Sequence, residues 1–148
     1  MKVLIINGPN LNMLGLREPH IYGSRTFESF LPELASRFPE VSLRHVQSNC
    51  EGELIDAVQS ALTGTAQEKA DGVILNAGAY THYSYALADA VKAIAPLPVV
   101  EVHISNPSAR EEFRRKSVLA PVCLGTVTGF GLESYALALQ GLLATYRP

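Results

Sequence analysis

The sequence predicts an α/β domain: a five-stranded parallel sheet covered by helices on both faces. Three observations predict it. Short apolar runs alternate with stretches of helical periodicity along the whole chain, and strands that alternate with helices imply right-handed crossovers in a parallel sheet. The chain has 148 residues, enough for one domain with a substantial core but too few for an eight-stranded α/β barrel, which takes roughly 250. Hydrophobic residues make up 47% and charged residues 18%, the balance of a compact soluble protein rather than a disordered one.

Taken in order, Lys2 to Ile6 is the first strand. Asn7-Gly8-Pro9 breaks its apolar run, which is too short for a signal-peptide core or a membrane span. Thr26 to Phe38 has a helical pattern in which Pro32 is expected to introduce a kink or mark a later start. Val41 to Val46 alternates with one more polar face, as a strand does at a sheet edge. Glu53 to Leu62 carries Leu54, Ile55, Val58 and Leu62 at helical spacing. Gly72 to Leu75 is the third strand, and Ser84 to Ile94 is a helix with Ser84 or Thr81 as its cap. In the fourth strand, Pro98 to Ile104, the proline takes the first place, where no ladder donor is needed. Asn106-Pro107 ends that strand, and Ala109 to Lys116 reads as a short charged helix. Val122 to Val127 is the fifth strand, and Leu132 to Leu143, after Gly131, is the last helix. Five such units make a flavodoxin-like doubly wound sheet, in which ligands bind beyond the carboxyl ends of the strands.

The formal net charge of -2 argues against nucleic acid as the main partner, because a phosphate-binding face needs an excess of Lys and Arg. Cys50 and Cys123 have no C-x-x-C spacing, so both are expected to be reduced thiols of a cytoplasmic protein, with a disulfide between them as the alternative. No Cys/His metal cluster and no G-x-S-x-G elbow is present. The lysines, Lys2, Lys69, Lys92 and Lys116, lie outside the loops that follow the strands, so imine chemistry is not expected.

Three of those loops concentrate polar chemistry. The first, Asn7 to Gly23, is about three times the usual βα connection, a length typical of lids and binding loops. It holds Arg17 and Tyr22 between the possible hinges Gly15 and Gly23, and it matches neither nucleotide-binding glycine pattern. On this segment alone, an inert loop with solvated Arg and Tyr weighs equally with a lid. The second, Asn76 to Ser84, sets Asn76 and His82 at a docking position, although His82 could equally serve a helix terminus. The fourth strand brings Glu101 and His103, two residues apart and therefore on one face. A carboxylate beside an imidazole fixes its tautomer and raises its pKa, which suits a general acid; a satisfied buried pair is the alternative. Arg110 and Arg114 follow in the charged stretch, where an arginine fork could clamp a substrate carboxylate or simply be solvated.

With those residues assembled, the chain resembles the type II 3-dehydroquinate dehydratases over nearly its whole length. The resemblance rests on Ile5 to Leu11, Arg17 to Gly23, Gln47-Ser48-Asn49, Glu51 to Asp56 and Asn76 to Ser84. Glu101 to Pro107, Arg110 to Arg114 and Gly129-Phe130-Gly131 extend it. It implies one domain over residues 1–148, a dodecamer of four trimers, and a cofactor-free lyase that dehydrates 3-dehydroquinate to 3-dehydroshikimate. That step is common to aromatic biosynthesis and quinate breakdown. By this resemblance Tyr22 is the base at C2, Arg17 the lid cation and His103 the acid that protonates the departing hydroxyl. Asn76, His82, Ile104, Ser105 and Arg114 form the substrate-binding set. Asp89 reaches a neighbouring subunit's site, Asn10 holds a water or the enolate oxygen, Glu101 supports His103, and Arg110 assists. Ala77 stands where the family usually has a proline, and Ala88 where an arginine often precedes the aspartate. A small-ligand or nucleotide-binding module without turnover is the competing reading, and a purely structural subunit a third.

Overall fold

A computed structural model describes residues 1–16 and 24–146 of the chain. The strands are β1 (Lys2–Asn7), β2 (Ser42–Gln47), β3 (Gly72–Asn76), β4 (Val99–His103) and β5 (Gly125–Thr128), and the helices α1 (Phe27–Arg37), α2 (Glu51–Thr63), α3 (Tyr85–Ala93) and α4 (Glu133–Thr145). All strand pairs are parallel and the order across the sheet is β2-β1-β3-β4-β5. This is the flavodoxin-like arrangement that the alternation of elements predicts.

Period-two side-chain alternation divides the core into two layers. Val3, Ile5, Ile74, Val100 and Val102 pack beneath α1 and α4, against Phe27, Phe30, Leu34, Tyr135 and Leu139. Leu4, Ile6, Val73 and Leu75 pack on the other face, against Leu54 and Val58 of α2 and Leu87 and Val91 of α3. Strands β3 and β4 are buried throughout, as strands covered on both faces must be. The more polar β2 is indeed an edge.

Local chemistry sets the boundaries. Thr26 caps α1 by accepting from the Ser29 amide at 3.1 Å, and Ser84 caps α3 by accepting from the Leu87 amide at 3.0 Å. Pro32 does not delay α1, which starts at Phe27 and carries the proline on its exposed side. No helix spans Ala109 to Lys116. Arg110 and Glu111 adopt extended conformations between two 3-10 turns, Pro107–Ala109 and Glu112–Arg114. That charged stretch has no apolar stripe to bury, so the sheet gives it no reason to continue as a helix. Similarly, β5 begins at Gly125 because Pro121 sits in a 3-10 turn, Ala120–Val122, that takes Val122 out of the strand.

The sheet reverses its winding between β1 and β3, so the loops leaving these two strands diverge and open a crevice at their carboxyl ends. Among the described residues, no helix is long and apolar enough to cross a membrane.

Candidate active site

A cleft of about 190 Å³ opens at that crevice. Such a volume lies below the roughly 300–1,000 Å³ of drug-sized sites and suits a small single-ring ligand. Asn10, Leu11 and Met13 border it from the loop after β1; Asn76, Ala79 and His82 from the segment after β3; and His103, Ile104, Ser105, Arg110 and Arg114 from β4 and beyond. Eight of the sequence-selected residues therefore meet in one place. Glu101 lies directly behind them, fully buried. Asp89 does not reach this cleft: it sits on α3 with 78% of its side chain exposed, 4.0 Å from Lys92. Arg17 and Tyr22 fall in residues 17–23, outside the described residues.

The first loop is held tightly where it leaves β1. Gly8 must be glycine, because its amide bonds the Asn76 carbonyl at 2.7 Å and a Cβ would lie 2.5 Å from the Ala77 oxygen. Asn10 takes a left-handed conformation at φ 68°, which asparagine tolerates better than most residues. Its amide donates to Asn49 Oδ1 at 3.1 Å, Gln47 Nε2 donates to the same oxygen at 3.2 Å, and Tyr80 Oη donates to the Asn49 carbonyl at 3.0 Å. The motif Gln47-Ser48-Asn49 thus braces the loop that carries Asn10.

His103 donates from Nε2 to Glu101 Oε1 at 2.7 Å. A carboxylate can only accept, so Nε2 carries the hydrogen and Nδ1 remains for the cleft. Thr81 Oγ1 also donates to Glu101 Oε1, and Ser117 Oγ lies 2.9 and 3.0 Å from the two carboxylate oxygens. Burial alone would raise the Glu101 pKa, yet hydrogen bonds from His103, Thr81 and Ser117 and the charge of His103 outweigh it and hold the carboxyl below its ordinary range. The group is an ionised carboxylate inside the protein. Thr81 and Ser117 are missed by sequence reasoning: the first reads as a helix cap, and the second carries no signal at all.

His82 donates from Nδ1 to the Lys116 carbonyl at 2.8 Å and meets the edge of Phe113, 6.3 Å away between ring centroids. The carbonyl fixes a hydrogen on Nδ1 and leaves Nε2 as the ring's other nitrogen. Glu111 bonds Arg114 Nε at 3.0 Å and lies 3.6 Å from Arg110 Nε, while the Arg114 guanidinium stacks 4.8 Å from the Phe113 centroid. The Glu111 pair occupies the Nε side of Arg114, so its two Nη groups form the fork that a carboxylate would meet. Among the described residues no group of three or more His, Cys, Asp or Glu side chains could hold a metal ion. Cys50 and Cys123 are free thiols, and burial, with Glu101 close by, pushes the Cys123 thiol up to about 12.

Comparison with known proteins adds a name to this geometry. The family model for dehydroquinase class II matches residues 1–143. A 3-dehydroquinate dehydratase of an Exiguobacterium species is 55% identical over 148 residues, covering 99% of this chain and 97% of that protein. Its counterpart in Caldicellulosiruptor saccharolyticus is 52% identical over 143 residues and 95% of each chain. The crystal structure of type II dehydroquinase from Butyrivibrio crossotus superimposes with a TM-score of 0.90 at 44% identity, over 97% of each chain.

Proposed function

The chain belongs to the class II dehydroquinase family, and from that membership we propose that it removes water from 3-dehydroquinate to give 3-dehydroshikimate. The observation that carries the reading is the buried, ionised Glu101 beneath His103 at the edge of a cleft lined by Asn76, His82 and Arg114. In this reading Tyr22 takes the C2 proton, and the electron pair left behind forms an enolate with the adjacent ketone. Asn10 holds a water or the enolate oxygen. The enolate then collapses, the C1–oxygen bond breaks, and His103 gives its proton so that the hydroxyl leaves as water. Glu101 stabilises the imidazolium that precedes this transfer and keeps Nε2 occupied, so the proton is delivered from Nδ1.

A phenol ionises near pH 10, and using one as a base at neutral pH requires a shift of about 3 units, or roughly 4 kcal/mol. In this reading Arg17 is the cation that favours the phenolate and supplies much of that. Asn76, His82, Ile104, Ser105 and Arg114 bind the substrate, with Arg110 supporting Arg114 through their shared contact to Glu111. Asp89, exposed on α3, belongs in this reading to a neighbouring subunit's cleft. It accords with a single domain assembled as a dodecamer of four trimers, working in the cytoplasm.

The test is to add 3-dehydroquinate to the purified protein and follow ultraviolet absorbance, because the product is a conjugated enone. Absorbance should rise with turnover. His103→Ala and Tyr22→Phe should each slow it by the 10²–10⁴-fold typical of losing a general acid or base. A flat trace with folded protein defeats the proposal and leaves a binding module without turnover.

A further inference from the structure

A second chain of buried polar groups ends at the cleft, on the α4 side of the sheet. Tyr135 of α4 is fully buried, and its ring packs on Phe27 with centroids 4.9 Å apart. Its hydroxyl lies between two asparagines at the ends of adjacent strands, 2.8 Å from Asn7 Oδ1 and 2.9 Å from Asn76 Nδ2. Asn76 Oδ1 accepts from the Gly78 amide at 3.3 Å, and Asn7 Nδ2 lies 3.1 Å from His45 Nε2.

The direction of every link follows from one end. The Gly78 amide can only donate, so the oxygen of the Asn76 side chain must face it and the nitrogen must face Tyr135. Tyr135 Oη accepts that hydrogen and passes its own to Asn7 Oδ1, which turns the Asn7 nitrogen towards His45. His45 must then accept at Nε2, which it does only as the neutral ring. Burial supports both ends of this scheme: it pushes the Tyr135 phenol well above its ordinary value and His45 below its own. Asn76 has its oxygen engaged and one Nδ2 hydrogen engaged, and it borders the cleft. One N–H is left for a ligand.

We propose that Tyr135, braced by Asn7, is a positioning residue that locks the Asn76 amide in one orientation. The cleft thereby receives a hydrogen-bond donor at that point, and the substrate must place an acceptor oxygen against it. This deepens the proposed dehydratase reading and rests on it. Without the Tyr135 hydroxyl nothing distinguishes the two ends of the Asn76 amide except the long bond from Gly78. The amide then samples the flipped orientation, which turns an oxygen towards the substrate oxygen.

Tyr135→Phe removes that hydroxyl and keeps the ring in its aromatic packing. With 3-dehydroquinate as substrate we expect KM to rise about tenfold, as for loss of one well-placed hydrogen bond, while kcat changes less than threefold. Adding Tyr135→Phe to Asn76→Ala should leave KM where Asn76→Ala alone put it, because positioning acts only through the amide. Asn7→Ala, which leaves α4 untouched, should raise KM in the same way and serves if Tyr135→Phe folds poorly. An independent readout is the Asn76 side-chain amide resonance, which should be a dispersed, slowly exchanging pair in the native protein and collapse in Tyr135→Phe. A lower melting temperature with unchanged KM in both single variants makes the cluster structural and overturns the proposal. So does an additive effect in the double variant. Failure of the native protein to turn over 3-dehydroquinate, with the resonance behaving as described, instead removes the dehydratase reading and spares the positioning role.

Discussion

Two buried polar clusters reach the same cleft from opposite faces of the sheet, and they differ in charge. On the α2–α3 side, Glu101 is ionised and surrounded by donors from Thr81, Ser117 and His103. On the α1–α4 side, Asn7, Tyr135 and Asn76 are neutral, and burial keeps His45 towards neutrality at the far end. An ion taken out of water costs several kcal/mol unless donors or an opposite charge surround it. A protein therefore keeps one where charge has a task. His103, at the cleft end of the charged cluster, can gain and lose a proton; Asn76, at the end of the neutral one, cannot. The difference suggests a division of labour, with proton movement on one face and ligand orientation on the other.

Glu101→Gln breaks this comparison most directly, because the amide keeps the shape and an accepting oxygen but removes the charge. With the imidazolium no longer favoured, kcat should fall on the order of tenfold to a hundredfold, or roughly 1.4–2.8 kcal/mol. KM should change little, the reverse of the pattern expected for Tyr135→Phe. A variant with normal kcat and a raised KM would show that the charge orients ligand rather than serving proton transfer.

A cation outside both clusters gives the intermediate case. Arg114→Lys retains the charge and gives up the planar fork, so we expect KM for 3-dehydroquinate to rise roughly fivefold with kcat and folding intact. An unchanged KM would leave Arg114 as no more than the partner of Glu111 and Phe113, and orientation would then rest on the neutral cluster.

The two clusters were not equally legible in the sequence. Glu101 and His103 share a strand and a spacing of two, so their common face can be read without a fold. The neutral cluster joins residues 45, 7, 135 and 76, and only the strand order β2-β1-β3 with α4 laid across it brings them together. Tyr135 within the last helix reads as one more apolar residue of a helical stripe. The strands were legible because both-face burial writes itself as uninterrupted Val, Ile and Leu. The charged stretch was not, because its i,i+4 pairing pattern suits a helix that has nothing to pack against, and Glu111 gathers Arg110 and Arg114 from an extended turn instead. Pro32 misled in the opposite direction: buried Phe27, Phe30 and Leu34 anchor α1 on both sides of it, so packing overrides the local penalty.

The smallest effect tests whether the neutral cluster must be neutral. His45 has its pKa lowered from 6.5 in the folded chain, chiefly by burial against the opposing pull of Glu28. The unfolded chain therefore binds more protons than the folded one just below pH 6.5, and stability must fall as pH drops through that window, by at most about 1.4 kcal/mol per pH unit. Protonation would also turn a donor on His45 Nε2 towards the Asn7 nitrogen, opposing the link that sets the whole chain of bonds. Glu101, Glu68, Glu111 and Glu133 are held below their ordinary value of 4.5, so their contributions are lost only at lower pH, below the His45 window. His45→Gln supplies a neutral acceptor that cannot titrate. Melting temperatures measured from pH 7 to pH 5 should decline for the native protein and flatten for His45→Gln. Equal slopes would mean that His45 stays outside the titration, and the contrast between a charged and a neutral face would then rest on Glu101 alone.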